Sequence, residues 1–397
     1  MVTILKNELE AVTDPRVVGR TKHNLTDILV LGILGIICHA ETWEDIESFG
    51  YAREAWLRQF LALPGGIPSH DTIGRVFSLI QPKELELAFI EWVKQLQAVK
   101  QAGDTICFDG KSLHGTSESS VGQSRRCLHV VNAWSTAQGI VLGQLKAKGR
   151  GNAEVQAVLD LIDLLDIESM ILVGDAGIGK VSVINKVIEK KGDYIFPIKS
   201  NSRKYFDQIV DLFEQGSATE VETHSIEEKG HGRQEKRTAW VIRKDFFNGF
   251  NQEEKDQEHF KNLQAIGKIV YERRLPETAP FVWKDGEREI AQDPIRVETE
   301  TRYFITSLKS ETAVLMEKLR LQWGIENQLH WSLDVQLGED ANKTRNKNAA
   351  ENLATARKIA LNIAKQAPGR IGLKSKLKRA AWDQDYLEKL LLNSKFC

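Results

Sequence analysis

The sequence is poor in the features that mark several large protein classes. Its four cysteines, Cys38, Cys107, Cys127 and Cys397, show no CxxC spacing. That excludes a cysteine zinc site of the usual kind and fits a reduced compartment better than a disulfide framework. The longest apolar run, Ile28 to Cys38, is 11 residues, whereas a bilayer span needs about 20. The N-terminus has no basic segment leading into an apolar one, so no signal peptide is expected. These absences together imply a cytoplasmic protein with no membrane partner. Excess charge is also missing: 54 Lys and Arg stand against 55 Asp and Glu, for a formal net charge of −1. Chain-wide basicity, common among nucleic-acid binders, is therefore absent.

What is present is ordinary globular composition, 42% apolar and 27% charged, over 397 residues, enough for two or three domains. The charge is unevenly placed. Between Ala341 and Ala380, eleven cations (Lys343, Arg345, Lys347, Arg357, Lys358, Lys365, Arg370, Lys374, Lys376, Lys378 and Arg379) face one acid, Glu351, a local balance of +10. Such a patch favours phosphate contact.

Residues 1–100 read as helical. Leu25 to Ile37 form an apolar helix with Asn24 or Thr26 as cap, Thr42 and Asp45 a capping box, Ser69 or Asp71 another cap, and Glu84 to Val99 an amphipathic helix. At Asp104 the period changes. TICFDG reads as a short strand ending on Asp109, followed by strands Cys127–Ser135 and Gly139–Ala147 across a Thr-Ala-Gln-Gly turn. A helix (Glu154–Leu165), a buried strand ending on Asp175, a helix (Lys180–Lys190) and the strand DYIFPIKSN complete the series. Three strands followed by βαβ units match a ribonuclease H-like plan, a mixed five-stranded sheet covered by helices. From about Ser202, alternation of polar and apolar residues predicts a mainly β insertion, with helix resuming near Ser310. The expected domains are a helical 1–100, a core in two parts (101–201 and 310–367) around the insertion 202–309, and a basic tail, 368–397.

Three acids stand out. In Arg320 to Asp340, Leu319, Trp323, Glu326, His330 and Leu333 fall on one face of a 3.6-residue helix. A carboxylate in an apolar stripe costs several kcal/mol unless a cation meets it. Asp109 and Asp175 at strand ends are suited to join it, because Mg²⁺ takes hard oxygen ligands and keeps several waters. Two such ions about 3.5–4 Å apart generate a nucleophile and relieve charge on a leaving oxygen in phosphodiester chemistry. Taken singly, an aspartate at a strand end is more often a cap or turn residue.

The ordered words DGKSLHGT, GDAGIGK, DYIFPIKSN, HGRQEKR, YFITSL, WGIENQLHWSLDVQLGED and NAAENLATARKIALN resemble the bacterial insertion-sequence transposases of the H-repeat-associated group. Ahead of them, DPR, HNLTDILVLGILGIICHAETWEDIESFG and GIPSHDTIGRVFS resemble that group's helical N-terminal domain. The resemblance covers nearly the whole chain. It implies a DDE catalytic core of ribonuclease H-like fold with Asp109, Asp175 and Glu326 as catalytic and metal-binding acids. Two Mg²⁺ ions, with Mn²⁺ able to substitute, would be the cofactors. The partners implied are double-stranded DNA, as terminal inverted repeats and target, and a second copy of the chain, a homodimer on DNA, with the protein nucleoid-associated when bound. The sequence departs from the group's pattern at Gly177, Gly179, Lys180 and Gln322, which touches DNA contacts more than metal binding.

Other residues carry both a functional and a bland reading. DNA contact is expected of Lys111, Lys199, Asn201, Arg320, His330, Lys343, Arg345 and Lys347. His330 is at least as easily a packed histidine. Lys111 and His114 follow Asp109 directly. His231, Gly232, Arg233 and Arg237 form a cationic strand face. Glu339 and Asp340 compete with Glu326 as ligands, but adjacent acids near a helix break are more often solvated. Two alternatives to a transposase are a decayed or domesticated DNA-binding protein of the same fold and, because Gly174 to Lys180 fits G-x-x-x-x-G-K, a P-loop nucleotide hydrolase. Val181 stands where that loop needs Ser or Thr, so no nucleotide cofactor is expected.

Overall fold

A computed structural model describes residues 2–17, 19–96, 102–118, 126–149, 151–199, 203–214, 221–230, 233–247, 250, 259–276, 282–284, 287–289, 295–367 and 369–392. The chain forms two compact units, Met1–Asp166 with Trp323–Cys397, and Ile167–Gln322.

The first unit opens with α1 (Val2–Leu9), α2 (Leu25–Ile37), α3 (Trp43–Ala52), the short α4 (Glu54–Leu57), α5 (His70–Leu79) and α6 (Pro82–Leu96). The predicted capping box is formed: Thr42 accepts from the Asp45 amide, and Asp45 accepts from the Thr42 amide at 2.9 Å. Ser69 caps α5. Three antiparallel strands follow, β1 (Thr105–Glu118), β2 (Arg126–Ser135) and β3 (Ile140–Lys146), then α7 (Ala153–Leu164). β1 does not stop at Asp109, as the sequence reading had it. It pairs with β2 from Ile106 through Leu113, because Lys111 and Leu113 continue the buried alternation.

The unit closes with a π-helical segment (Ile325–His330), α11 (Trp331–Leu337), α12 (Lys347–Gln366), α13 (Leu373–Trp382) and α14 (Gln384–Leu392). α12 packs on α2, α5, α6 and β3, which joins the N-terminal helices to the sheet as one body. Its small buried residues, Ala349, Ala350, Ala354, Ala356, Ala360 and Ala364, let those elements approach closely. Asn362 bonds both the amide and the carbonyl of Val141 (2.9 and 2.8 Å), so a side-chain amide satisfies the backbone of β3 where no strand does. Asn352 donates to the carbonyls of Phe77 and Ile80 at the end of α5 (2.8 and 3.1 Å). The segment expected as a basic tail is helical, and it buries Leu377, Ala380, Leu387 and Leu390.

The second unit contains β4 (Ile171–Gly174), α8 (Val181–Glu189), β5 (Asp193–Ile198), α9 (Arg203–Glu214), β6 (Glu222–Gly230), β7 (Arg233–Arg243), β8 (Ala265–Pro276), a small hairpin β9 (Val282–Lys284) and β10 (Glu287–Glu289), β11 (Ile295–Thr306) and α10 (Thr312–Gly324), whose last two residues belong to the first unit. β4 and β5 are parallel; the order continues β5-β11-β8-β7-β6, all antiparallel. The fold is the mixed α/β class expected. The five-strand count is corrected, because the insertion's long strands extend the core sheet from β5 instead of standing apart. α9 is a helix inside the stretch read as β. Among the described residues no helix is long and apolar enough to cross a membrane.

Candidate active site

Asp109 lies in β1 opposite Asn132 of β2, and Asn132 lies opposite Gln144 of β3. Paired residues of adjacent strands share a face, so the three side chains form a row. Lys111, two residues on from Asp109, shares that face. The π-helical segment packs over β1. His330 at its end brings Nδ1 to 3.6 Å from the Asp109 carboxylate. Glu326 is the second residue of the same segment and is exposed.

The sequence reading placed Glu326 in a buried stripe. The stripe is broken: Leu319 and Leu333 are buried, but Trp323 is 45% exposed. A π-helix closes i→i+5 bonds and shifts the phase of every later side chain. Phase counted at 3.6 residues per turn therefore fails across Ile325–His330. Gly324, just before the segment, lies against Trp134 of β2; a Cβ there would meet the ring at 2.9 Å.

Lys111 is not presented to DNA. Its side chain is buried, and its ammonium binds Asp334 of α11 and Glu339 (2.8 Å to the latter). Burial alone would lower the Lys111 pKa; Glu339 and Asp334 outweigh it and raise it above the ordinary lysine value. Glu339 also receives Lys358 of α12 at 2.8 Å. Burial would raise the Glu339 pKa, but Lys358 and Lys111 hold it at about 2. So Glu339 is neither a solvated acid nor free to bind metal, and Asp340 accepts from the His114 amide at 2.6 Å. His330 is held at about 4, first by burial and then by Lys111, so its ring is neutral at physiological pH.

Asp175 follows β4 in the second unit, half-buried. Its Oδ1 accepts the Ile178 amide at 2.9 Å and its carbonyl accepts the amide of Gly179 at 3.0 Å. The bland reading of a turn aspartate is thus observed. The Lys180 amide also bonds inward, to the Ile178 carbonyl. A P-loop would aim such amides at phosphate. Gly179 is required by packing, since a Cβ there would meet Phe196 at 2.9 Å.

The remaining candidates scatter. Lys199 is exposed after β5. Arg320 pairs with Glu228 at 2.7 Å, and Arg237 also pairs with Glu228. Lys343 and Arg345 are exposed and line a cleft of about 460 Å³ with Glu41 and Glu44. Asn201, His231, Gly232 and the side chains of Arg233 and Lys347 lie outside the described residues. Of the eleven C-terminal cations, Arg357, Lys358 and Lys376 are buried, and Lys365 lies over the Trp134 ring with its pKa lowered to about 8 by burial.

Among the described residues no group of three His, Cys, Asp or Glu side chains converges on a metal position. The donor chemistry in the first unit nevertheless suits a hard cation. Asp109 and Glu326 are carboxylates, and the nearby Lys111 is neutralised elsewhere. Asn132 is fully buried with both carboxamide atoms unpartnered, and His330 Nε2 is buried and unpartnered as well. Buried polar atoms normally have partners; their lack of one beside Asp109 fits a place that receives water or a polar ligand.

Residues 100–363 match the family described as "Transposase DDE domain", and residues 6–93 match "DDE_Tnp_1-associated". The chain is 33% identical over 395 residues to the "H repeat-associated putative transposase YhhI" of Escherichia coli (strain K12), covering 98% of each. It is 32% identical over 400 residues to the "Putative transposase YncI" of Escherichia coli O157:H7, covering 98% of this chain and 94% of that one. A chain of the piggyBac transposase synaptic complex with hairpin DNA aligns over 100% of this chain and 79% of that one at 10% identity and a TM-score of 0.39, a level from which no residue correspondence is drawn. With its ribonuclease H-like mixed sheet and a family match over most of its length, the chain belongs to the DDE transposases.

Proposed function

We propose that this transposase cleaves DNA strands at the ends of an insertion sequence and joins them to a target, with Asp109, Asp175 and Glu326 serving one reaction as divalent-metal ligands. The observation that carries the reading is the approach of His330 to Asp109. It places the segment bearing Glu326 beside the strand bearing Asp109, next to the unpartnered Asn132. Bound Mg²⁺ or Mn²⁺ would supply an activated water or 3′-hydroxyl and charge relief on the departing oxygen.

The chain's own residues divide the remaining work. Asp109 and Glu326 offer hard oxygen donors from a rigid strand and from a helical segment. Neutral His330 contributes a nitrogen facing the Asp109 carboxylate without adding a charge that would compete with a cation. The Asp175 carboxylate is oriented by the Ile178 amide. Lys111, Glu339 and Lys358 form a closed set of charges that fixes β1 against α11 and α12. Double-stranded DNA, bound in the cytoplasm by a homodimer of the chain, is the substrate of this reaction.

The test is Asp109→Asn, Asp175→Asn and Glu326→Gln in Mg²⁺-dependent cleavage of terminal-repeat DNA, with Mn²⁺ binding measured by calorimetry alongside. Each variant is expected to lose cleavage and weaken Mn²⁺ binding while still binding DNA. Wild-type cleavage in all three would overturn the assignment.

A further inference from the structure

A second concave surface in the first unit lies among the N-terminal helices. It is a cleft of about 500 Å³ lined by Arg16, Arg20, Lys22, His23, Arg75 and the exposed Val17, with Thr72 and Leu79 on its α5 wall. Thr72, Arg75 and Leu79 fall on one face of α5 by helical spacing. No Asp or Glu is among the lining residues. The 460 Å³ cleft beside α3 differs in this respect, because its cations share the wall with Glu41 and Glu44.

The loop that presents the charges is pinned. Arg16 forms a two-pronged pair with Asp14 (2.8 and 2.7 Å) and donates to the His23 carbonyl at 2.9 Å. Its guanidinium is thereby used as an internal brace, with 9% side-chain exposure, and Asp14 is consumed. A Cβ on Gly65 would come within 2.6 Å of the Lys22 carbonyl, so the strand of loop before α2 lies tight against the Leu63–Gly66 turn. Arg20, Lys22 and Arg75 are exposed, and none forms an ion pair among the described residues. Three unpaired cations on a braced concave surface cost self-repulsion that only an anion relieves.

We infer that the cleft of Arg20, Lys22 and Arg75 docks the phosphodiester backbone of double-stranded DNA. The choice of DNA rests on the function proposed above. The placement rests on the charges being at the exposed rim, where they replace the counterions of a polyanion. Val17 and Leu79, 64% and 42% exposed, leave apolar surface for the sugars between phosphates.

The test uses the full-length protein and a mixed-sequence DNA duplex, with binding measured between about 50 and 200 mM salt. The triple variant Arg20→Ala, Lys22→Ala, Arg75→Ala is expected to lower the slope of log Kd against log salt by roughly 3, about 0.9 per lost contact. The charge-keeping set Arg20→Lys, Lys22→Arg, Arg75→Lys should retain the wild-type slope. An unchanged slope in a triple variant that melts like the wild type would overturn the inference. So would loss of inorganic phosphate binding with duplex binding intact, which would make this a small-anion site. Cleavage surviving in the three acid variants, with the slope effect present, would remove the proposed chemistry and leave this surface standing. Cleavage lost in those variants, with no slope effect here, would do the reverse.

Discussion

Lys358 Nζ and Glu339 Oε1 meet at 2.8 Å with both side chains fully buried. Lys111 closes the other side of the same carboxylate. Three elements are tied by this one acid: β1 through Lys111, the turn after α11 through Glu339 itself, and α12 through Lys358. A buried pair is costly to desolvate, but removing one partner strands the other. Glu339→Gln would leave the buried Lys358 without its ion-pair partner and Lys111 with Asp334 alone, and it should cost about 3–5 kcal/mol. Lys358→Met leaves Glu339 paired with Lys111 and should cost less. Urea midpoints of the two variants against wild type give the order. The pH dependence has a fixed sign. The folded pKa of Glu339 lies below its unfolded value, so its contribution is complete above about 4.5 and is lost as pH falls toward about 2.

Glu86 of α6 behaves oppositely. It is buried with its oxygens on the Gln144 amide (2.7 Å) and the Thr355 hydroxyl (3.1 Å). Burial pushes its pKa up to about 8, against the pull of those hydrogen bonds and of Lys358. The folded state thus binds a proton that the unfolded state releases above about 4.5. Stability contributed by this group is complete below that pH and is lost as pH rises through about 8. Glu86→Gln keeps an acceptor for the Gln144 amide and offers a donor to Thr355, whose own hydroxyl can turn to the Glu351 carbonyl at 3.2 Å. The variant should match wild type near pH 4.5 and exceed it by a few kcal/mol near pH 8. Thermal midpoints across that range decide the matter, and parallel curves would refute the expectation.

Asn132 supplies a trade-off. Its unpartnered, fully buried carboxamide costs about 1–3 kcal/mol in an unliganded fold. Asn132→Leu replaces both atoms with methyl groups on the same branched skeleton, so the variant should gain about that amount less the cost of fitting the larger side chain. If the carboxamide serves the reaction beside Asp109, cleavage should fall in the same variant. A denaturation curve and a cleavage assay on one preparation test both halves.

The helical N-terminus, its caps and the β1–β2–β3 meander are written in local pattern, so Leu25–Ile37, the Thr42 box and the Ser135–Ile140 turn could be read directly. The acids Asp109, Asp175 and Glu326 could be singled out, but their surroundings could not. Glu326 was placed in a buried stripe because periodicity assumes one helical pitch, and the π segment breaks it. Lys111 looked like a DNA contact because a lone lysine in sequence does not reveal two distant carboxylates. One partial signal for the buried charges was available: Lys358 stands four residues after Ala354 and three before Leu361, both buried. A lysine buried there requires an acid partner, but nothing in the spacing singles out Glu339, 19 residues earlier.

Gly324 links packing to the proposed chemistry. It immediately precedes the π-helical segment, and a Cβ would meet the Trp134 ring at 2.9 and 3.2 Å. The ring cannot easily retreat, since Trp134 is 1% exposed and Lys365 lies over it at 5.7 Å. In Gly324→Ala the segment must therefore move off β2 by a few tenths of an ångström or more, carrying Glu326 and His330 with it. Alanine itself favours helix over glycine by about 1 kcal/mol, so global stability should change little. Cleavage is expected to drop, by up to the order of 100-fold that a full 1 Å displacement at a catalytic group carries. DNA binding should hold, since the altered contact is internal. If cleavage in a folded Gly324→Ala protein equals that of wild type, the position of the π segment does not govern the reaction.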